Sequence, residues 1–181
     1  MEQRAQIDDA EPSDSVELEK DFRSAMRVTA ASVSLLTCRS GGGVFQGMAV
    51  TSASSLSMEP PSMIVAVNRS ASSYETIRDT GMFCLNLLSD EHTGLVDRFC
   101  RSENRTSRFQ SSNWRKGPHG LPYLDKSLAS IFCTVSSVHD YATHAVFFGT
   151  VIRTICDPLD ERTPLIWLHG GPLSRLVQES A

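Results

Sequence analysis

The sequence has few cysteines, and they form none of the patterns typical of a metal site or a disulfide framework. Its five cysteines are odd in number and widely spaced, without a CxxC pair, which argues against a zinc knuckle and a disulfide-stapled secreted domain. Three of them lie within apolar, strand-like runs, where a free cysteine behaves as a small buried hydrophobe: Cys38, Cys84 and Cys133. We therefore expect a reducing, cytoplasmic location.

Long apolar runs are also missing. No stretch approaches the roughly 20 apolar residues of a membrane-spanning helix, and the polar, acidic N-terminus lacks the apolar segment of a signal peptide. The net charge is −4, from 17 basic and 21 acidic side chains, whereas a nucleic-acid scaffold usually carries a basic patch. We expect neither a membrane nor a nucleic acid as partner.

Several catalytic signatures are absent as well. The chain contains no GxSxG elbow, no Walker A loop and no HExxH zinc motif, and we expect no metal ligands. No GxGxxG motif follows the first predicted strand, so a Rossmann-type nicotinamide site is not indicated. A bound nicotinamide would therefore have to stack on another cofactor in an open cleft.

The 181 residues are enough for one domain with its own core. Residues 1–13 are expected to form a disordered acidic tail and residues 14–181 a single domain, with Asp14 and Glu17 at a capping-box-like helix start. Hydrophobic periodicity predicts strands over residues 32–38, 44–51, 63–67, 82–87, 128–138, 144–155 and 164–168, and short helices over 72–79 and 90–99. Residues 100–120 are expected to run over the surface. This pattern predicts a mainly β fold, an antiparallel barrel with helical decoration.

Residues 47–61 are the most informative segment. They begin as a strand, continue into a dense run of Ser and Thr, and end at two prolines. Hydroxyl groups both donate and accept hydrogen bonds, and small side chains let a ligand approach the backbone N–H groups. The segment therefore indicates a site for a phosphate-bearing cofactor, while a polar surface loop is the alternative.

A second polar loop, residues 68–73, follows the next predicted strand. It contains Arg69, and a helix begins at its end, where free N–H groups favour phosphate. Ser72 or Ser73 taken alone would simply be a helix N-cap. We expect the strands that lead into the two loops to be neighbours, because short connections usually join adjacent strands.

In the order of these segments the chain resembles the flavin reductase family, the NAD(P)H:flavin oxidoreductase components of two-component flavin-dependent monooxygenases. The resemblance covers nearly the whole chain beyond about residue 20. Its most specific parts are residues 47–61 and 144–151, and the other matching parts are residues 22–26, 67–70, 83–88, 95–99, 121–125, 128–129 and 164–171.

The resemblance implies an antiparallel Greek-key split β-barrel of the FMN-binding type. It further implies a homodimer with the flavin near the subunit interface, FMN or FAD as the flavin, and NADH or NADPH as cosubstrate. Family positions imply contacts to the isoalloxazine edge, the ribityl chain and the phosphate from Val50, Thr51, Ser52, Ala53, Ser54, Ser55, Asn68, Arg69, Ser70 and Ser73. Arg98 and Phe99 match a position close to the flavin tail.

Two further elements are implied to lie near the nicotinamide. His144 matches the histidine of a Gly-Asp-His element, although Ala142 and Thr143 precede it here; apart from the resemblance, it is a half-exposed polar residue at a strand start. His169, Gly170 and Gly171 match a glycine-containing element after the last strand, and a simple turn is the alternative. The family has an aromatic residue two positions past the glycine, where this chain has Leu173.

The expected activity is NAD(P)H-dependent reduction of free flavin, with hydride passing from nicotinamide C4 to flavin N5 and the reduced flavin leaving for a monooxygenase. The alternative, which the departures near His144 and at Leu173 suggest, is a flavin-binding or flavin-sensing module without turnover. A reductase or oxidase of another substrate on the same scaffold is a third possibility. FMN or FAD, and NADH or NADPH, remain open: Arg39, Arg101 and Arg105 could meet a 2′-phosphate or be solvated surface charges.

Overall fold

The structure, a computed structural model, describes residues 12–173 except 112, 158 and 160. Residues 1–11, most of the expected tail, lie outside the described residues. The α-helices are α1 (Pro12–Arg27), α2 (Ser72–Thr80) and α3 (Thr93–Cys100), and short 3₁₀ segments span Asp90–His92, Ser102–Ser107 and Pro118–Gly120. None of the helices within the described ranges is long and apolar enough to cross a membrane.

Twelve strands are present in the described part of the chain. They are β1 (Ala31–Ser32), β2 (Ser34–Arg39), β3 (Phe45–Val50), β4 (Ser54–Met58), β5 (Pro61–Asn68), β6 (Met82–Leu87), β7 (Trp114–Lys116), β8 (Pro122–Leu124), β9 (Ala129–Tyr141), β10 (His144–Cys156), β11 (Ile166–Leu168) and β12 (Gly171–Pro172). The predicted mainly β fold is confirmed, and the predicted strand over residues 82–87 coincides with β6.

One antiparallel sheet of seven strands dominates the fold, in the order β3-β2-β6-β9-β10-β5-β4. The consecutive strands β5 and β6 are separated by β9 and β10, a displaced return typical of a Greek key. A smaller sheet has the order β1-β11-β12, and β7 pairs with β8. The expected antiparallel Greek-key arrangement is therefore present.

Apolar side chains pack on both faces of the central strands. Leu35 and Leu36 are adjacent on β2 and both fully buried, because successive side chains of a strand point to opposite faces. Leu36 packs with Val65 and Phe147 inside the barrel. Leu35 packs with Phe99 in a second cluster that also includes Val33, Val96, Leu124 and Leu165. The three cysteines expected to be buried, Cys38, Cys84 and Cys133, are buried.

Three details differ from the sequence-based expectations. α1 begins at Pro12, two residues before the predicted start at Asp14. Residues 54–58, expected to be part of a polar loop, form β4, which pairs with β5. The strands leading into the two polar loops, β3 and β5, were expected to be neighbours, but four strands separate them in the sheet order and they share no ladder.

Candidate functional site

The Ser/Thr loop lies against β5 even though β3 and β5 are not paired. The Ser52 hydroxyl donates a hydrogen bond to the Ala66 carbonyl at 2.8 Å, which holds the loop after β3 next to β5. Val50 is buried in the barrel core, so only its backbone can face a ligand. Thr51 and Ser52 are exposed, Ala53 is half-buried against the core, and Ser54 and Ser55 are exposed on β4. A row of exposed hydroxyls therefore follows β3.

The second polar loop begins at Asn68, the last residue of β5. The Asn68 Oδ1 accepts hydrogen bonds from the Ser70 backbone N–H at 2.9 Å and from the Ser70 hydroxyl at 2.8 Å. The loop is thereby fixed as an Asx turn. Arg69 is exposed, and its backbone N–H donates to the Thr143 carbonyl at 3.0 Å.

His144 lies beside this loop. In the β5–β10 ladder it is the direct partner of Asn68, and its Nδ1 is 2.9 Å from the Thr143 hydroxyl. Its side chain is exposed. Together with the Ser52 contact two residues away on β5, this register brings the Ser/Thr loop, the Asn68 loop and His144 to one end of the barrel.

The two-residue turn before His144 keeps its shape without glycine. Ala142 has a φ of 47°, in the left-handed region that costs an L-residue roughly 1–2 kcal/mol. Two-residue hairpin loops require such positive φ values, which is why they favour glycine. The departure at Ala142 therefore leaves His144 in a regular β9–β10 hairpin, with Tyr141 as its cross-strand partner.

A cavity of about 270 Å³ lies where β3, the start of α2 and the end of α3 meet. Ser72 and Ser73 line it at the N-terminus of α2, and Ser73 is 1% exposed. The residue before the helix is Ala71, whose side chain makes no capping hydrogen bond. The Tyr74 N–H donates to the Ala71 carbonyl at 3.0 Å, which leaves the N–H groups of Ser72 and Ser73, the first two of the helix, available to an anion.

Close packing around Gly47 shapes the floor of this cavity. A Cβ at Gly47 would lie 2.8 Å from the Leu36 carbonyl oxygen and 3.0 Å from Phe99 Cε1. Only a glycine lets the Phe99 ring lie directly against β3. Phe99 is 1% exposed, packs against Phe109 and Trp114, and lines the cavity.

Arg108 is a buried cation in the wall of the same cavity. It is 6% exposed, and its guanidinium donates to the carbonyls of Gly47 at 2.7 Å, Arg101 at 2.9 Å and Arg98 at 3.3 Å. It also lies over the Phe99 ring, 5.5 Å from the centroid. Burial, with the neighbouring Arg105 charge, lowers the pKa of the Arg108 guanidinium. Arg108 thus ties α3 and the following 3₁₀ segment to β3.

Arg98, predicted to lie near the flavin tail, is half-buried, and its carbonyl accepts from Arg108. Its neighbour Phe99 reaches the cavity, whereas the Arg98 side chain is not among the lining groups.

The glycine-containing element after β11 does not border the cavity at the start of α2. His169 and Gly170 form the two-residue turn between β11 and β12, with φ values of 53° and 85°. Gly170 and Gly171 border a separate cavity of about 330 Å³ beside α3. The His169 backbone is bonded in both directions to Arg27 at the end of α1. No hydrogen bond between described residues joins this turn to the Ser/Thr loop or to His144.

A cavity of about 690 Å³ between the β8–β9 loop and residues 155–157, 159, 161 and 162 contains none of the predicted site residues. Over the described ranges, no cluster of His, Cys, Asp and Glu side chains could hold a metal ion.

Sequence reasoning missed the part of the site contributed by residues 100–120. These residues were expected to be a surface excursion, yet Arg108 is buried and Phe109 and Trp114 pack against the second core cluster. The aromatic residues in an otherwise polar stretch were the available signal, because aromatic side chains dominate core packing.

Comparison with known proteins supports the resemblance. A sequence model of the flavin reductase like domain matches residues 26–173. The chain is 32% identical over 149 residues to the reductase component of FADH(2)-dependent resorcinol hydroxylase from Rhizobium sp. (strain MTP-10005), covering 82% of each. It is 33% identical over 141 residues to the FMN reductase (NADH) RutF of Agrobacterium fabrum, covering 78% of this chain and 80% of RutF.

Solved structures agree. The crystal structure of a nitrilotriacetate monooxygenase component B homologue from Mycobacterium thermoresistibile superposes with a TM-score of 0.80 at 29% identity, covering 87% of each chain.

Proposed function

The chain belongs to the flavin reductase like domain family, and from that premise we propose that it is an NAD(P)H:flavin oxidoreductase that supplies reduced flavin to a separate oxygenase. The observation that carries the proposal is the convergence of three elements at one end of the barrel: the exposed hydroxyls after β3, the Asx turn after β5, and His144. The relatives named above are reductase components or FMN reductases.

The residues present fit a phosphate-bearing flavin. The start of α2 supplies backbone N–H groups, Arg108 supplies positive charge, and Gly47 lets the Phe99 ring lie against β3 at the cavity floor. Thr51, Ser52, Ser54 and Ser55 offer hydroxyls along the loop and β4. The flavin and the nicotinamide themselves supply the hydride acceptor and donor.

The protein's contribution is position. The Asn68 turn and the Ser52 hydrogen bond fix two loops whose backbone groups would hold the flavin. His144 is the candidate catalytic residue. Its Nδ1 is engaged by Thr143, so its Nε2 is the atom left to orient the nicotinamide or to meet negative charge on the flavin. Holding both rings in contact accounts for most of the expected acceleration.

We further propose a homodimer. Helix α1 is exposed along its described length, and its apolar side chains Leu18, Phe22 and Met26 are 64%, 62% and 48% exposed. The terminal strand β4 exposes Leu56 and Met58 in the same way. Large exposed apolar patches mark interaction sites in soluble proteins. Light scattering after size exclusion is expected to give twice the chain mass of 19.9 kDa.

Steady-state kinetics with all four nucleotide–flavin combinations test the activity. We expect NADH or NADPH oxidation to accelerate when FMN or FAD is added, and His144→Asn to lower that rate at least about tenfold while the flavin Kd stays within about twofold of wild type. Flavin binding without oxidation by any combination would identify a flavin-binding module instead. That alternative draws on the departures at Ala142 and Leu173, of which Ala142 leaves the turn geometry intact.

A further inference from the structure

A second cavity adjoins the one at the start of α2. Its volume is about 290 Å³, and it shares Gly47, Ser72, Arg105 and Arg108 with the first. Its volume is close to the lower end of the range of about 300–1,000 Å³ in which ligand pockets fall. The second cavity lies between Ser72 at the α2 N-terminus and the first residues of β3.

The junction of the two cavities carries positive charge without a matching carboxylate. Arg108 is buried and donates only to carbonyl oxygens, and Arg105 is exposed beside it. Among the described residues no ion pair joins either arginine to an acidic side chain. Buried or clustered charges are normally paired, so the junction is suited to an anion with more than one charged oxygen.

Away from the two arginines, the second cavity is lined by aromatic rings and an amide. Its walls include the rings of Phe45 and Phe109, whose centroids are 5.6 Å apart in an edge-to-face arrangement. Gln46 also lines this cavity, and its Oε1 is a buried acceptor without a hydrogen-bond donor. Leaving such a group unpaired costs about 1–3 kcal/mol. The terminal amide torsion is soft, so a small rotation would turn the amide toward a ligand.

We propose that this second cavity binds the adenosine diphosphate portion of FAD, so that the chain prefers FAD to FMN. The two phosphates lie at the Arg105–Arg108 junction next to α2, and the adenine packs against the Phe45–Phe109 pair with its amino group donating to Gln46. This inference rests on the proposed function and adds the choice of flavin to it.

The adenosine diphosphate portion of NADH has the same chemistry. FAD is favoured as the source because the junction includes Ser72, in the loop proposed to hold the flavin phosphate. His144, the residue proposed to face the nicotinamide, lies on the far side of that loop, in register with Asn68.

Calorimetric titration of the full chain with FAD, FMN and NADH tests the assignment. For the wild type we expect a Kd for FAD at least about tenfold below that for FMN, since the extra phosphate gains one charge-assisted hydrogen bond. Arg105→Gln is expected to weaken FAD binding about tenfold and FMN binding less than about threefold. Arg101→Gln is the matched control, because Arg101 is also exposed on this segment but lines neither cavity.

Gln46→Leu provides an independent variant. It removes a buried unpaired acceptor at similar volume, so the fold should be retained or stabilised. We expect it to weaken FAD binding about fivefold and leave the FMN Kd within twofold, which corresponds to the loss of one neutral hydrogen bond.

The outcomes separate the two proposals. If FMN and FAD bind equally, or if both variants change the two flavins by the same factor, the adenosine site is refuted while flavin reduction stands. If the variants weaken NADH and leave FAD unchanged, the assignment to FAD is refuted. If neither flavin binds, the proposed function itself fails.

Discussion

Arg108→Met is the most informative perturbation of the site's framework. The arginine is the common partner of three carbonyls on two elements: Gly47 on β3, and Arg98 and Arg101 at the end of α3. Methionine has similar bulk and no donor. The substitution would therefore remove the hydrogen bonds while leaving much of the contact with Phe99 in place.

The expected loss of stability follows from these contacts. Two of the three hydrogen bonds are well formed, at 2.7 and 2.9 Å, and the third is longer at 3.3 Å. Charge-assisted hydrogen bonds contribute about 1.5–3 kcal/mol each. Removing the buried cation also removes its own desolvation cost, which offsets part of that sum. We expect the free energy of unfolding to fall by about 2–4 kcal/mol.

Urea denaturation of wild type, Arg108→Met and Arg105→Gln measures this loss. Arg105 is exposed on the same segment, so its replacement should change the free energy of unfolding by less than about 0.5 kcal/mol. An Arg108→Met protein as stable as wild type would refute the view that this guanidinium ties α3 to β3. Equal losses for the two variants would show that Arg108 contributes to stability through its charge alone and not through its hydrogen bonds to the three carbonyls.

Three smaller perturbations test other parts of the structure. Gly47→Ala is expected to lower the free energy of unfolding in urea by about 1–3 kcal/mol, because its Cβ would clash with β2 and Phe99. Gly94→Ala is the control: its helical position has open space, so it should stabilise by about 0.5–1 kcal/mol. Equal effects of the two variants would contradict the close packing described around Gly47. Ala142→Gly should stabilise by about 1 kcal/mol by removing the left-handed strain, and calorimetric melting that is unchanged or lowered would count against it. The His92 Nδ1 accepts the Ser89 N–H, and burial, followed by the Arg162 charge, lowers the pKa of His92 from 6.5. Neutral His92 therefore contributes to folding stability above about pH 6.5, and this contribution is lost as the pH falls. His92→Gln should accordingly lose less stability than wild type between pH 7 and 5, and equal losses in the two proteins would refute this.

The regular elements were readable from the sequence where burial leaves a clear pattern. β6 is buried on both sides, and its apolar run, interrupted only by Asn86, predicted its bounds. β4 was missed because three of its five residues are serines and its apolar residues, Leu56 and Met58, are exposed, so no buried face marks it as a strand. Its pairing with β5 comes from the turn at residues 59–60 and not from side-chain burial.

The site was only partly readable for a related reason. The Ser/Thr loop and the Asn68 loop are local features, and their composition indicates a polar ligand. Their proximity depends on the curvature of the sheet and not on a shared ladder, because four strands separate β3 from β5 in the sheet order. Arg108 meets Gly47 across 61 positions of sequence, and an arginine in an arginine-rich stretch looks solvated until that contact is known.

Anaerobic mixing of the protein with flavin and reduced nicotinamide tests the central claim most directly. Bleaching of the flavin's visible absorbance reports reduction itself, without an oxygenase or oxygen. The account predicts bleaching far faster than in protein-free controls for at least one nucleotide–flavin pair, and slower bleaching in His144→Asn. Bleaching no faster than the controls for all four pairs would contradict it.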